Sequence, residues 1–121
     1  MSKRILVVED QEDNRRILRD LLASAGYQVI EAEDGERGVA AAEAQRPDLI
    51  LMDIQLPLVD GYEATRRIKA NPALRAIPIL VVTSYALSGD EDKARAAGCD
   101  DYITKPFSPR QLLATVKEHL R

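Results

Sequence analysis

Cysteine is almost absent from this chain, which has one cysteine, Cys99, in 121 residues. A single cysteine excludes an internal disulfide and any metal site built from several thiolates. A free thiol is typical of a reducing compartment, so we expect a cytoplasmic protein. The first predicted strand begins within a few residues of Met1, which leaves no room for a signal peptide.

The chain also lacks an excess of positive charge and lacks long apolar runs. Its 17 lysines and arginines are outnumbered by 20 aspartates and glutamates, which gives a net charge of -3. This balance provides no basic surface for nucleic acid or anionic lipid. No apolar run approaches the roughly 20 residues that span a bilayer. We therefore expect neither nucleic acid nor a membrane as a direct partner.

Hydrophobic residues instead occur in short runs separated by segments of helical periodicity. The run from Leu49 to Met52 ends at Asp53, and four similar runs occur elsewhere. Continuous apolar runs of this length are typical of strands buried on both faces of a parallel sheet. The predicted strands cover residues 4–8, 28–32, 48–53, 78–83 and 101–104.

The segments between these strands are predicted to be helices. The first has one apolar face with helical spacing, formed by Ile17, Leu18, Leu21, Leu22 and Ala25. Gly26 follows and can take the left-handed conformation that ends a helix. Composition predicts further helices over residues 35–45, 60–70 and 87–97, and Ser108 and Pro109 begin the last one.

Five strand–helix pairs predict an α/β fold with a parallel five-stranded sheet covered by helices on both faces, a three-layer sandwich. Residues 1–121 are expected to form one domain, because no linker or repeat interrupts the pattern. Of the common strand orders, the flavodoxin-like order 2-1-3-4-5 puts the first and third strands side by side. That order places Glu9 and Asp10 beside Asp53, with Thr83 on the next strand, so we predict it.

Three acidic residues would then meet at the carboxyl edge of the sheet. Glu9 and Asp10 follow the first strand, and Asp53 ends the third. An acid after a strand, taken alone, is more often a cap of the following helix. Three carboxylates in contact raise one another's pKa, however, and a hard cation relieves their repulsion. Because the chain has no ligand-dense loop typical of calcium sites, we expect Mg²⁺.

Asp53 is the candidate nucleophile, since a carboxylate can attack phosphorus to form an aspartyl phosphate. The alternative is a structural aspartate that caps the turn before Pro57. Lys105, after the fifth strand, would contact a phosphoryl oxygen, and Thr83 could donate its hydroxyl to the same group. The alternatives are an exposed surface lysine and a threonine that merely ends a strand. The bond between Lys105 and Pro106 is a candidate cis peptide that would turn the lysine inward.

Four more residues have open or structural interpretations. Tyr102 lies on the last strand, where ordinary edge packing and a functional role are both open. His119, the only histidine, is expected to be solvated on a polar helix face. Asp100 and Asp101 are expected to be solvated turn residues or part of an interface ion-pair set.

Taken together, these segments resemble the receiver domain of two-component response regulators, here of the stand-alone type. The resemblance covers essentially the whole chain, and five motifs in the same order make it highly specific. The motifs are Val8-Glu9-Asp10, Leu51-Met52-Asp53-Ile54-Gln55-Leu56-Pro57, Asp60-Gly61, Val82-Thr83-Ser84 and Tyr102-Ile103-Thr104-Lys105-Pro106-Phe107.

The resemblance implies a role for each matching residue. Asp53 would be the phosphoacceptor, and Lys105 and Thr83 would contact the phosphoryl group. Thr83 and Tyr102 would form a switch that reshapes the surface of the fourth helix, fifth strand and fifth helix. The Mg²⁺ ligands would be Glu9, Asp10, Asp53 and the backbone carbonyl of Gln55.

The resemblance also implies a phosphorelay function. The chain would take a phosphoryl group from a phosphohistidine of a histidine kinase or phosphotransfer protein and signal to a downstream protein effector. It would catalyse only its own phosphorylation and dephosphorylation, so we do not expect an enzyme. A weak or phosphorylation-dependent homodimer stays open, as does a receiver cut from a larger regulator or hybrid kinase.

One position departs from the commonest receiver pattern, and two others lie where receivers vary. Ser84 stands where a smaller alanine or glycine is usual, which would narrow access to the phosphoryl group. Tyr85 and Gln55 occupy variable positions that tune phosphoryl loss. A bulky Tyr85 would hinder the hydrolytic water and predicts a longer-lived phosphoryl state.

Three other functional classes are weighed against the receiver. A pseudo-receiver would bind partners without taking phosphate, but every acceptor residue is present. A phosphatase of the haloacid-dehalogenase type needs a second aspartate where Gln55 stands. A flavin or nucleotide carrier needs a phosphate loop rich in Gly, Ser or Thr, whereas the acids from Glu9 to Asp13 would repel phosphate without a metal.

Overall fold

The computed structural model describes residues 2–83 and 90–120, with the side chain of Asp90 left out. Strands and helices alternate along these residues. The strands are β1 (Arg4–Val8), β2 (Gln28–Ala32), β3 (Leu49–Asp53), β4 (Ile79–Thr83) and β5 (Asp101–Thr104). The helices are α1 (Glu12–Ser24), α2 (Gly35–Gln45), α3 (Gly61–Ala70), α4 (Asp90–Ala96) and α5 (Pro109–His119).

The strands form one parallel sheet in the order β2-β1-β3-β4-β5. The predicted fold class and strand order are therefore confirmed. Three of the predicted strands have the observed bounds, and the other two begin one residue early, at 48 and 78. Every residue of the central strands β3 and β4 is buried, as their continuous apolar runs predict.

Alternation along the strands divides the core into two layers, one on each face of the sheet. On one face, Val7 and Leu51 pack with Leu22 of α1 and Val116 of α5. On the other face, Met52 packs among buried residues of α2 and α3. Val81, which lies beside Met52 on β4, packs with Ala94 of α4. Among the described residues, no helix combines the length and hydrophobicity needed to cross a membrane.

The apolar face predicted for α1 is only partly buried. Leu18 and Leu22 are buried in the core and Leu21 packs against it, but Ile17 is 59% exposed. Ala25 also lies in the solvent, as the residue that follows the helix. The predicted apolar face is thus wider than the part that meets the core, which consists of Leu18, Leu21 and Leu22.

The start of α3 lies directly against the end of β3. The Asp60 side chain accepts a hydrogen bond of 2.9 Å from the backbone N–H of Glu63 and caps the helix. A Cβ atom on Gly61 would lie 2.0 Å from the carbonyl oxygen of Asp53. Only a residue without a side chain can therefore begin the helix here. This close approach fixes the loop that follows Asp53.

His119 is not solvated surface, and that prediction was wrong. Its Nε2 lies 3.0 Å from Oδ2 of Asp101, and the His119 side chain is only 23% exposed. Burial raises the pKa of Asp101, but the hydrogen bonds from His119 and from the backbone N–H of Tyr102 lower it below its ordinary value. The contact joins the first residue of β5 to the last residue of α5, which are far apart in sequence.

Candidate functional site

The sheet brings the acidic residues together at its carboxyl edge. In the register of the central strands, Val8 of β1 lies beside Met52 of β3. The next residues, Glu9 and Asp53, are therefore neighbours across the two strands. Asp10 follows Glu9 in the turn toward α1. One carboxylate oxygen from each of these three acids lies within 4.8 Å of the others.

Glu9 is buried, with 1% of its surface exposed, and its polar atoms are held on several sides. Its Oε1 accepts 2.9 Å from Nζ of Lys105, and its Oε2 accepts 3.1 Å from the N–H of Gln11. Its own N–H donates to the carbonyl of Ala32 at 3.0 Å. Burial raises the pKa of Glu9, but the hydrogen bonds from Lys105 and from the N–H of Gln11 bring it below the ordinary value. These contacts therefore stabilise the ionised form of Glu9.

Asp53 binds a proton more tightly than an ordinary aspartate. Burial first, and then the negative charge of Glu9, raises its pKa from 3.8 to about 7. The ammonium of Lys105, 3.7 Å from Oδ2, only partly offsets this rise. The backbone N–H of Ile54 donates to Oδ1 at 2.7 Å and fixes the carboxyl group. A cation near these acids would favour the ionised, nucleophilic form of Asp53.

Asp10 completes the group from the solvent side. Its side chain is exposed, and slight burial together with the nearby charge of Glu9 raises its pKa. Three carboxylates this close, with one partly neutralised by Lys105, match the hard oxygen donors that Mg²⁺ prefers. Gln55, whose backbone carbonyl is the fourth predicted ligand, is exposed in the loop between β3 and α3. The donor set thus fits Mg²⁺, with the solvent side open to water and phosphate oxygens.

Lys105 reaches the cluster from the end of β5. The Lys105–Pro106 peptide bond is cis, and the lysine N–H donates to the carbonyl oxygen of Thr83 at 2.7 Å. The ammonium is closer to Glu9 than to Asp53. In this arrangement the lysine lies where it balances buried negative charge, rather than exposed on the surface.

Thr83 and Tyr102 lie on one face of the sheet. Thr83 ends β4 and is fully buried. Tyr102 of β5 pairs with Val81, two residues before Thr83, so alternation puts all three side chains on the same face. The Tyr102 ring is half-buried and packs against the cluster of Ile54, Val81, Ala94 and Cys99. This arrangement joins the end of β4 to α4 and β5 through one layer of packing.

Two predictions fall outside the described residues. Ser84 and Tyr85, predicted to narrow access to the phosphoryl group and to prolong its lifetime, both belong to the undescribed segment 84–89.

Arg15 is absent from the predicted site residues but contacts the acidic cluster. Its guanidinium donates to the carbonyl oxygen of Glu9 at 2.9 Å. The signal available in the sequence is an arginine in the first turns of a helix, where positive charge is unfavourable.

Known proteins share both this sequence and this fold. The family described as the response regulator receiver domain matches residues 5–117. The polar-differentiation response regulator DivK of Brucella anthropi is 44% identical over 120 residues, which covers 99% of this chain and 98% of the relative. DivK of Brucella ovis is 43% identical over the same shares of both chains.

Solved structures agree with these relatives. The receiver domain of a sensor histidine kinase from Pseudomonas aeruginosa, with a magnesium ion in its active-site cleft, is 41% identical with a TM-score of 0.93, covering 99% of this chain and 98% of that one. The chemotaxis protein CheY4 of Vibrio cholerae is 29% identical with a TM-score of 0.93, covering 99% and 100%. With its strand order, its acidic edge and this likeness, the chain belongs to the response regulator receiver domain family.

Proposed function

We propose that this receiver domain accepts a phosphoryl group on Asp53 and uses it to change a protein-binding surface. One observation carries the proposal: a buried aspartate ends β3 between two further acids and a lysine ammonium. An aspartate with only a structural role would not require two neighbouring carboxylates and an ammonium group. The donor would be a phosphohistidine of a histidine kinase or phosphotransfer protein, and the output a downstream protein effector.

The chemistry is an in-line displacement at phosphorus. A carboxylate oxygen of Asp53 forms the new P–O bond while the P–N bond to the donor histidine breaks, and the imidazole leaves with the bonding electron pair. The metal, when bound, supplies positive charge that offsets the repulsion between the acids and the phosphoryl oxygens. Glu9, Asp10, Asp53 and the carbonyl of Gln55 would hold it. The similar receiver from Pseudomonas aeruginosa carries magnesium in its cleft.

Lys105 would change its partner during this reaction. It pairs with Glu9 at 2.9 Å and lies 3.7 Å from Asp53. A cation that shares Glu9 would free the ammonium to contact a phosphoryl oxygen. Thr83, which ends the adjacent strand β4, would donate its hydroxyl to another such oxygen. The chain would turn over no other substrate, and in that sense it would not be an enzyme.

An apolar groove beside Lys105 suits the phosphodonor. Lys105 lines the groove, which has a volume of about 520 Å³, together with Ile17, Leu21 and Phe107. A protein that delivers phosphohistidine to Asp53 must cover the surface around Lys105. The exposed Ile17 would then be buried by the donor, which accounts for an apolar residue left in solvent.

We place this exchange of the phosphoryl group in the cytoplasm, where a thiol such as Cys99 stays reduced.

The phosphoryl group would act at a distance through Thr83 and Tyr102. A new dianion on Asp53 would draw the Thr83 hydroxyl toward it. The Tyr102 ring would then repack to fit the new position of the Thr83 side chain. Tyr102 already packs with Ala94 of α4, and Thr83 lies on the same face of the sheet. The readout would be a changed surface formed by α4, β5 and α5, to which an effector or a second copy of the chain could bind.

This switch predicts a pattern of amide chemical shifts when beryllium fluoride, a phosphoryl mimic, is added to the protein with Mg²⁺. In the wild type we expect changes around Asp53 and also along β5 and α5, because the hydroxyl and the ring move together. Thr83→Ala should keep the changes around Asp53 and lose most of those along β5 and α5. Thr104→Ala is the matched control, since Thr104 pairs with Thr83 but is exposed, and it should behave as the wild type.

Two outcomes would contradict the proposal at different points. Chemical-shift changes confined to the surroundings of Asp53 in the wild type would remove the switch and leave the phosphoacceptor. No change anywhere, in a folded protein, would favour a pseudo-receiver that works by contact alone.

A further inference from the structure

Arg15 contacts the backbone of two of the proposed metal ligands. Its Nη1 donates to the carbonyl oxygen of Glu9 at 2.9 Å and to that of Asp10 at 3.3 Å. Its Nε lies 3.4 Å from Oε1 of Glu31 on β2. The side chain is only 12% exposed, whereas its neighbour Arg16 is 58% exposed and pairs with Asp13 at 3.9 Å. The guanidinium thus joins α1, the turn after β1, and β2.

The position of Arg15 is unfavourable for the helix itself. It is the fourth residue of α1, close to the end at which the helix dipole disfavours positive charge. Helical side chains point back toward the N-terminus, so an arginine here can reach the carbonyl groups that precede the helix. Its Nη1 contacts both carbonyl oxygens while its Nε faces Glu31, so the planar guanidinium reaches two sides at once, which a compact ammonium cannot match. The contacts that Arg15 makes, rather than its effect on helix formation, explain why an arginine stands at this position.

We propose that Arg15 is a positioning residue for the Mg²⁺ site. By holding the carbonyl oxygens of Glu9 and Asp10, it fixes the two peptides that carry the metal-binding carboxylates. Asp10 depends on this most, because its side chain is exposed. Contacts of this kind behind metal ligands typically contribute about 10-fold to 100-fold in affinity. The inference rests on the proposed function, which supplies the cation.

The sign of the effect distinguishes positioning from simple electrostatics. Removing a positive charge near three acids would, by charge alone, make Mg²⁺ bind more tightly. Loss of positioning predicts the opposite, because the free turn must be ordered before both carboxylates can bind. Arg15→Lys keeps the charge and removes the planar guanidinium that contacts the turn and Glu31 together, so its effect reports geometry with little change in the field.

The experiment is a calorimetric titration of Mg²⁺ into wild type, Arg15→Met, Arg15→Lys and Arg16→Met, with folding checked by circular dichroism. We expect the dissociation constant to rise at least about 10-fold in Arg15→Met and by a smaller factor in Arg15→Lys. Arg16→Met is the matched control and should bind as the wild type. With Mg²⁺ at saturation, the rate of phosphorylation by a small acyl phosphate should return to near the wild-type value in the Arg15 variants.

Unchanged or tighter Mg²⁺ binding in both Arg15 variants, with the wild type binding normally, would overturn this inference alone. Equal weakening in Arg16→Met would overturn it as well, since the effect would then not depend on the contacts that Arg15 makes with the turn. A wild type that binds no Mg²⁺ would overturn the proposed metal site, and the role of Arg15 with it.

Discussion

Phosphorylation by a small acyl phosphate is expected to slow about 100-fold when Lys105 is replaced by methionine, while Mg²⁺ binds at least as tightly. A positioned donor to a developing charge typically contributes a factor of this size. The Lys105 ammonium also competes for Glu9, at 2.9 Å, and repels a cation placed near Asp53. Its removal therefore slows the transfer and favours metal binding at the same time.

Both quantities can be measured on one preparation, the rate by mass spectrometry and the Mg²⁺ affinity by calorimetry. Saturating Mg²⁺ is used for the rates, because it supplies buried Glu9 with a counter-charge in place of the lysine. Lys117→Met, an exposed lysine of α5, is the matched control and should leave both values unchanged. A rate within a few-fold of wild type in Lys105→Met, or weaker Mg²⁺ binding, would contradict the assignment.

The metal-free protein is expected to become more stable when Asp53 is replaced by asparagine, and only above acidic pH. Because the pKa of Asp53 rises from 3.8 to about 7, the folded state binds this proton more tightly than the unfolded chain. The stability that the proton provides is complete below about pH 4 and is lost as the pH rises through 7. A tenfold difference in proton affinity between the folded and unfolded states corresponds to about 1.4 kcal/mol. Asparagine has no such charge to bury.

We expect the free energy of unfolding of Asp53→Asn to exceed that of wild type by on the order of 2–4 kcal/mol at about pH 8, and by little at about pH 4. Urea denaturation with a metal chelator measures this difference at both pH values. Adding Mg²⁺ at the higher pH should remove most of it, because the cation takes the place of the proton. Asp20→Asn, an exposed aspartate of α1, controls for net charge. An equal difference at both pH values would contradict the buried acid pair.

Much of the fold could be predicted because the strands are continuous apolar runs with chemistry at their ends. Leu49 to Asp53 is entirely buried, so composition alone defines β3. The strand order follows from requiring Glu9 to lie beside Asp53, which the register confirms. Burial along the α1 face was harder to predict, because the exposed Ile17 fits the same helical pattern as the buried Leu18. Spacing identifies a helix face but not how much of that face the sheet covers.

Contacts between distant residues could not be predicted in the same way. The motifs bring Lys105 to the site but do not say that Glu9 is its nearer partner, which depends on burial of Glu9. His119 was assigned to the surface because nothing near it in sequence is its partner; Asp101 becomes one only when α5 packs beside β5. Short-range pattern therefore predicts the site, while its electrostatic balance needs the folded chain.

Asp53 is tested as the phosphoacceptor by intact-protein mass spectrometry after incubation with a small acyl phosphate, with and without Mg²⁺, on wild type and Asp53→Ala. We expect one phosphoryl adduct on wild type that requires Mg²⁺, and none on Asp53→Ala. An adduct on folded Asp53→Ala, or none on folded wild type with Mg²⁺, would contradict Asp53 as the phosphoacceptor.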